Sequence, residues 1–437
     1  MGPMCELPDD GRGTRWSRVR ARLGRLHPFQ TPEAQRLALL FGVVYFAQGM
    51  YELPTQTLTV TLKERFGLSA GQAATFFAIT TLPWYVKPLY GLLSDLVPLA
   101  GRRRQSYLLL TSGLAALAGA AVALLPEPTY ARLAALVTLM GLGLAFTDVL
   151  VDALMVETGR PLGLTGAFQA VQWASIYAAA VLVGVVGGEL AERRALHAAF
   201  GLAACFPLVS FTMALVVVRE PRCAADRAAS RATWRAVREA LAAREVWAVA
   251  GFILVWTFSP SFGPAFLYYQ TDVLGFSQRY IGLLGALAAV GFMTGAVVYA
   301  PLSRRVPLAR LIRWVIGGAV AGTLAYLLYR GPVSAALIDT VFGAVGMIAQ
   351  LAFLDLAARA CPRRVEGTFF ALLMSVYNLG VKGSQVTGGY LYDWLGFTPL
   401  VLISAACTAL AWLVVPLVRI DRIEARARAE AAAVAGA

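Results

Sequence analysis

Long apolar runs constrain this chain more than any other feature. Stretches of about 20 predominantly apolar residues, enough to cross a bilayer as a helix, recur along its 437 residues. We place twelve of them near 37–59, 71–94, 105–125, 131–155, 165–188, 196–218, 246–269, 278–300, 311–329, 333–357, 367–390 and 397–418. With 58% hydrophobic and only 14% charged residues, the composition is also that of a membrane protein. The predicted fold class is therefore an all-α membrane protein with twelve transmembrane helices.

Basic residues predict the orientation of these helices. Most of the 38 Lys and Arg residues lie in the tails and the even-numbered loops, which twelve spans place on one side of the membrane. By the positive-inside rule both termini are cytoplasmic, and we expect the protein in a bacterial inner membrane as a monomer. The net charge of +13 does not indicate a nucleic-acid partner, because the arginines form short clusters between apolar runs.

Cysteine and histidine are too sparse to indicate a metal, a cofactor or catalysis. Five cysteines stand at irregular spacing, and the two histidines, His27 and His197, lie outside the predicted spans or at their ends. We find neither a metal-ligand set nor a nucleophile constellation, which argues against a membrane-embedded enzyme. We also find no signal peptide before the first span.

The N-terminal region, residues 1–36, is a basic cytoplasmic tail. Its Trp16, Val19 and Leu23 recur at helical spacing beside arginines, which suits either a helix lying on an anionic leaflet or a disordered tail. A second arginine-rich segment, residues 219–245, separates two groups of six spans, and residues 419–437 form a C-terminal cytoplasmic tail.

Internal repeats support a division into two halves, residues 37–218 and 246–418. Four tracts of the first half reappear in order in the second. The pairs are 90–100 with 299–309, Leu144–Asp148 with Leu351–Asp355, Gly67–Ser69 with Gly275–Ser277, and Gly187–Gly188 with Gly388–Gly389. Two parallel six-helix repeats are typical of the major facilitator fold, in which the substrate site lies near the midplane between the halves.

The loop after the second span resembles the loop signature of that superfamily. It reads Gly91-x-x-x-Asp95 followed by Arg102, Arg103 and Arg104. The resemblance implies a cytoplasmic gate that these groups lock, since an acid and arginines at adjoining helix ends can form strong ion pairs. The alternative is that the arginines serve only to orient the helices.

Ionisable residues inside spans are functional candidates because burying a charge in a bilayer is costly. Lys87 and Asp148 each lie eight residues from the predicted cytoplasmic end of a span, so we expect them to pair. Asp152, four residues after Asp148, shares its helix face. We expect Asp152 or Glu157 to reach the arginines at 102–104. The cluster is either a structural ion pair or a gating and proton-coupling site.

A second charged pair is expected deeper in the membrane. Glu52 and Lys382 lie at similar depths in opposite halves, so they suit the two ends of a polar substrate or a gate. Polar and aromatic residues of the same region complete the candidate site: Gln169, Gln172, Trp173, Tyr377 and Asn378. Each of these is also open to the simpler interpretation of an interhelical hydrogen bond.

Several of these motifs resemble the folate-biopterin transporter family. The similarity covers roughly residues 40–190, in the motifs Tyr45-Phe46-x-Gln48-Gly49, Leu82–Asp95, Asp148–Glu157 and Phe168–Trp173. The resemblance implies a secondary active transporter that moves a folate or pterin across the membrane, often with protons. It also implies that Glu52 binds the pterin edge, Lys382 an anionic tail, and Trp173 or Tyr377 the flat ring.

Two related transporter classes remain as alternatives. Muropeptide or sugar-peptide permeases have a similar lysine in the second helix and paired aspartates in the fourth, although Phe168, Gln169 and Trp173 favour the folate branch. A drug–proton antiporter is disfavoured because the fifth span lacks a proline beside Gly184, Gly187 and Gly188. A receptor or scaffold would not need charges at matched depths in both halves.

Overall fold

The computed structural model is predominantly helical over the residues it describes, which are 29–220, 244–360, 366–418, 420–423 and 425. Nine α-helices precede the gap at 221–243: α1 (Pro32–Gly49), α2 (Thr55–Glu64), α3 (Ala70–Thr80), α4 (Lys87–Leu96), α5 (Gln105–Ala123), α6 (Tyr130–Leu162), α7 (Thr165–Leu182), α8 (Gly188–Glu192) and α9 (Leu196–Val216). Seven follow it: α10 (Arg244–Thr257), α11 (Pro264–Tyr268), α12 (Gln278–Arg305), α13 (Leu308–Ala325), α14 (Pro332–Ala360), α15 (Glu366–Leu395) and α16 (Phe397–Val418).

Among the described residues, nine helical stretches are long and apolar enough to cross a membrane. They are Pro32–Glu64, Gln105–Ala123, Tyr130–Leu162, Thr165–Glu192, Leu196–Val216, Gln278–Ser303, Leu308–Leu328, Pro332–Ala357 and Phe397–Pro416. Each coincides with one predicted span. The other three predicted spans fall on α3 with α4, on α10 with α11, and on α15, where helix breaks or polar residues interrupt the apolar run.

The second predicted span differs from the single helix expected near 71–94. α3 ends at Thr80, a 3-10 turn covers Leu82–Tyr85, and α4 starts anew at Lys87. The sequence explains the break, because Pro83 and Pro88 have no N–H group to continue the helical hydrogen bonds. As a consequence, Lys87 stands at the first position of a helix.

Similar interruptions occur in other spans. A 3-10 turn at Met50–Glu52 precedes Pro54 between α1 and α2. π-Helical turns cover Val183–Gly187 before α8 and Tyr269–Val273 after α11. Such turns often mark functional positions in helices, and Glu52 lies in one of them.

We call the end of the bundle that carries Arg36, Asp95 and Arg104 the proximal face. The opposite end, with the loops at 65–69, 193–195 and 274–277, is the distal face. At the distal face the described residues up to 220, the N-terminal half, pack against those from 244 onward, the C-terminal half. A Cβ atom added to Gly282 would lie 2.2 Å from the carbonyl oxygen of Gly184, and one added to Gly71 would lie 2.6 Å from the Tyr390 ring. The two halves are therefore in direct contact there.

Some of the predictions made from the sequence concern residues that the structure does not describe. They are most of the tail at 1–36, including the amphipathic pattern from Trp16 onward, most of the linker at 219–245, and most of the tail at 419–437. The division into two six-span halves stays a prediction.

Candidate substrate-binding site

The buried ion pair between Lys87 and Asp148 is the centre of the candidate site. The Lys87 ammonium lies 2.5 Å from an oxygen of the Asp148 carboxylate, and their side chains are only 13% and 7% exposed. The pairing expected from their equal depths is thus present in the structure. Lys87 Nζ also lies 4.4 Å from the centre of the Trp84 ring, a cation–π contact.

Gln48 of α1 adds a third group to this pair. Its side-chain Nε2 donates a hydrogen bond to Asp148 Oδ1 over 2.7 Å, while its buried Oε1 has no hydrogen-bond partner among the described residues. An unsatisfied buried acceptor costs about 1–3 kcal/mol. The side chain is therefore poised to accept a hydrogen bond from another donor.

Asp152 occupies the next turn of α6 on the same face. The Tyr45 hydroxyl donates a hydrogen bond to its carboxylate, and Gln172 Nε2 donates another over 3.1 Å. These contacts join α1, α6 and α7 around two carboxylates. Of the two acids expected to reach the arginines at 102–104, it is Glu157 and not Asp152 that does so.

The proximal cluster is built on Arg104, at the turn between α4 and α5. Its guanidinium donates to Asp95 over 2.7 Å, to Glu157 over 2.6 Å and to the Ser94 hydroxyl over 2.7 Å. The other two arginines play lesser parts: Arg102 donates to Gln105, and the Arg103 side chain is exposed.

The carboxylate of Glu220 binds backbone N–H groups of the same turn. Glu220 accepts hydrogen bonds from the backbone N–H groups of Arg103, Arg104 and Gln105, at 2.9, 2.8 and 3.1 Å. A Cβ on Gly91 would lie 3.6 Å from Val149, an ordinary contact distance, so packing here does not require a glycine. All these contacts lie within the N-terminal half. The cluster thus joins helix ends of one half, whereas the sequence pattern suggested a lock between the halves.

Glu52 and Lys382 interact electrostatically but form no ion pair within 4.0 Å in the described part of the chain. The Glu52 carboxylate, which is exposed, accepts a hydrogen bond from the Thr55 hydroxyl over 2.8 Å. Lys382 is half-buried on α15. The structure therefore brings these two charges near each other from opposite halves without joining them in an ion pair.

Aromatic side chains form a stack that crosses from one half to the other. Trp173 stacks on Tyr177, with ring centres 5.9 Å apart, and Tyr177 stacks on Phe292 of α12 at 5.4 Å. The Tyr177 hydroxyl also donates to Met347 Sδ over 3.0 Å. Sequence reasoning missed Tyr177, although its position one helical turn after Trp173 was a usable signal.

The remaining predicted site residues lie around this stack. Tyr377 is close enough to Tyr177 to interact electrostatically, and Asn378 Nδ2 donates a long, 3.5 Å hydrogen bond to the Trp84 carbonyl. Gln169 is exposed one turn before Gln172 on α7. Phe168 belongs to one of the motifs that resemble the folate-biopterin transporters. It is a core residue, stacked on Phe29 with ring centres 5.4 Å apart.

Comparison with known proteins identifies the family. The sequence profile described as BT1 family matches residues 48–424. The chain belongs to the BT1 family. A relative named folate-biopterin transporter, from Synechocystis sp., is 32% identical over 386 residues, which are 84% of this chain and 76% of that protein. Probable folate-biopterin transporter 4 of Arabidopsis thaliana is 24% identical and covers 82% of this chain and 89% of its own.

Solved structures show the same fold. The nucleoside transporter NupG matches with a TM-score of 0.67 and 12% identity over 87% of this chain and 98% of that one. The inward open conformation of the xylose transporter XylE from E. coli matches with a TM-score of 0.67 and 14% identity, over 90% and 99% of the two chains. The predicted major facilitator fold is confirmed, and this BT1 family member is an integral membrane transporter of a small molecule and not an enzyme.

Proposed function

We propose that this BT1 family member moves folate- or pterin-like aromatic anions across the membrane by alternating access, coupled to protons. The observation that carries the proposal is the buried cluster of Lys87, Asp148, Asp152 and Gln48, which lies in the segment matched by the family. Buried charges in a bilayer are costly and mark transport pathways and proton relays. The curated relatives named as folate-biopterin transporters supply the substrate class.

The second pair of charges suits the two ends of such a substrate. A pterin presents an amino group and a ring N–H along one edge, which a carboxylate can accept, so we assign Glu52 to that edge. The glutamate tail of a folate is anionic and suits Lys382 of the opposite half. Because the two side chains do not pair directly, each is free to bind its own end of one molecule.

The flat ring has a stacking partner in Trp173. One face of its indole contacts Tyr177, and Trp173 is itself half-buried, so we assign its other face to the planar ring of the substrate. Stacked aromatic pairs contribute about 0.5–1.5 kcal/mol beyond the area they bury. Tyr377, Asn378, Gln169 and Gln172 then supply polar contacts around the ring.

The distribution of contacts supports an orientation for this cycle. The basic residues are concentrated at the proximal face, so we propose that this face is cytoplasmic, with both termini. The halves touch at the distal face, so we take this state as closed on the side away from the cytoplasm. In this state Asp95, Arg104 and Glu157 brace helix ends within one half.

Uptake of labelled folate into proteoliposomes tests the proposal. We expect the wild type to accumulate folate, and Glu52→Gln and Lys382→Ala each to raise KM at least tenfold, because each removes a charge-assisted contact of about 1.5–3 kcal/mol. The matched control is Glu64→Gln, which removes an exposed carboxylate that binds Arg194 away from the site. Uptake that is the same in all four proteins, or absent in the wild type, would contradict the assignment of folate.

A further inference from the structure

Two carboxylates at the distal face each bind the start of a helix in the opposite half. Asp393 of α15 accepts hydrogen bonds from the backbone N–H groups of Ala70 at 3.1 Å and Gly71 at 2.9 Å, at the start of α3. Glu192, the last residue of α8, accepts from the N–H groups of Gln278 at 2.7 Å and Arg279 at 3.3 Å, at the start of α12. Both contacts therefore join the N-terminal half to the C-terminal half.

The two contacts occupy equivalent positions of the internal repeat. In each helix the capping serine, Ser69 or Ser277, accepts from the third N–H group, so the carboxylate and the serine together satisfy the first turn. The acids are equivalent as well, because Glu192 stands four residues after Gly188, as Asp393 does after Gly389. The arrangement is thus a matched pair that reaches across the interface in both directions.

Glycines beside each carboxylate bring the helix backbones together. A Cβ on Gly389 would lie 2.8 Å from the Gly71 Cα atom, and one on Gly188 would lie 2.9 Å from the Gly282 Cα atom. At this separation a short acidic side chain reaches the amides of the facing helix. The positive end of the helix dipole strengthens each contact, and hydrogen bonds to a charged group are about twice as strong as neutral ones.

We propose that Glu192 and Asp393 are paired latches of the distal gate, which hold the halves closed while the substrate site opens to the proximal side and release together when the gate opens. This proposal rests on the alternating-access transport proposed above but is independent of the substrate. The exposed ion pairs nearby, such as that of Glu189 with Arg279, contribute less because surface ion pairs are weak.

Hydrogen exchange of the backbone amides, measured by mass spectrometry on the purified full-length protein without substrate, tests the latches. Glu192→Ala removes the cap on Gln278 and Arg279, so faster exchange there is expected in any case. The decisive amides are those of Ala70 and Gly71, because Asp393 remains their hydrogen-bond acceptor in this variant. We expect their exchange to accelerate about tenfold, the factor that corresponds to a charge-assisted hydrogen bond, because one weakened latch raises the population in which both are open. Asp393→Ala should reciprocally accelerate exchange at Gln278 and Arg279.

Matched variants and a distance measurement complete the test. Glu192→Gln keeps an acceptor and serves if the alanine variant does not fold, with a smaller effect of the same kind. Glu64→Gln, whose carboxylate binds Arg194 of its own half, should leave all four amides unchanged. Spin labels at the exposed positions Glu127 and Arg330, in distal loops of opposite halves, should report a longer distance in the alanine variants. Acceleration confined to the helix whose own cap was removed, with unchanged label distances, would show independent caps and overturn the proposal, whatever the outcome of folate uptake.

Discussion

At the scale of single residues, the decisive feature is a lysine placed where the bilayer penalises charge. Lys87 is tolerated because Asp148 neutralises it, Trp84 offers its ring face, and Gln48 satisfies the second carboxylate oxygen. Such a pair is a poor source of net stability, because desolvation of the two ions offsets much of their attraction. Its presence inside a span is therefore better explained by a role in the proposed transport cycle.

Removal of one partner and then of both should separate stability from function. Lys87→Met leaves a buried, uncompensated carboxylate and should lower the free energy of unfolding by about 3–5 kcal/mol. The double variant Lys87→Met, Asp148→Asn removes both charges and should recover most of that loss, yet remain inactive in uptake. Thermal unfolding in detergent and proteoliposome uptake measure the two effects.

The exposed ion pair of Arg194 and Glu64 supplies the comparison, since its side chains are 53% and 40% exposed. Arg194→Met should cost no more than about 1 kcal/mol. Recovery of uptake together with stability in the Lys87 and Asp148 double variant would assign the pair a purely structural role.

At the scale of helices, hydrophobic patterning predicted the nine membrane-length apolar helices of the described residues but not where the helices break. A helix needs about 20 apolar residues to span a bilayer, and such runs can be recognised in the sequence. The break between Thr80 and Lys87 depends on how two prolines are accommodated by neighbouring helices. The break brings Trp84 and Lys87 together at the N-terminus of α4. Prediction of the spans alone does not predict this contact.

Close packing of α7 and α8 against α12 should make Gly282 intolerant of a side chain. Its added Cβ would lie 2.2 Å from the Gly184 carbonyl oxygen and 2.6 Å from the Gly188 Cα atom, and both are backbone atoms that cannot move aside. Gly282→Ala should therefore hold the distal face open and reduce uptake at least tenfold. The spin-label pair at Glu127 and Arg330 would report the longer distance directly.

Gly285, on the same helix, is the matched control for this variant. An added Cβ there would meet nothing within 4 Å, and Ala favours a helix over Gly by about 1 kcal/mol. Gly285→Ala should therefore be active and at least as stable as the wild type. Equal uptake in the two alanine variants would mean that this contact does not limit distal closure.

At the scale of the whole molecule, the sequence predicted a contact between two residues at the same membrane depth within one half. It did not predict the contacts between the halves. The pairing of Lys87 with Asp148 follows from counting residues from the ends of two spans. By contrast, the capping of α3 by Asp393 and of α12 by Glu192 depends on how the halves meet. Internal repeats indicate which residues are equivalent, but they do not indicate which of them touch.

Proton coupling of the proposed transport cycle is best tested at Asp152. Its described partners, Tyr45 and Gln172, are neutral donors, while the neighbouring Asp148 already has the lysine. No cation is among the hydrogen-bond partners described for Asp152, so this carboxylate is the candidate to bind the coupling proton. Asp152→Asn keeps the acceptor oxygen for both donors and imitates the protonated state permanently, so the fold should be retained.

A transporter that no longer releases its proton can still exchange loaded substrate across the membrane. We therefore expect Asp152→Asn to catalyse folate counterflow at a rate within a few fold of the wild type, and to lose accumulation driven by an imposed pH gradient. Both rates are measurable on the same proteoliposomes. If gradient-driven accumulation persists in Asp152→Asn, the coupling proton binds elsewhere, and the same pair of assays on Asp148→Asn and Glu52→Gln identifies the carboxylate at which exchange and accumulation separate.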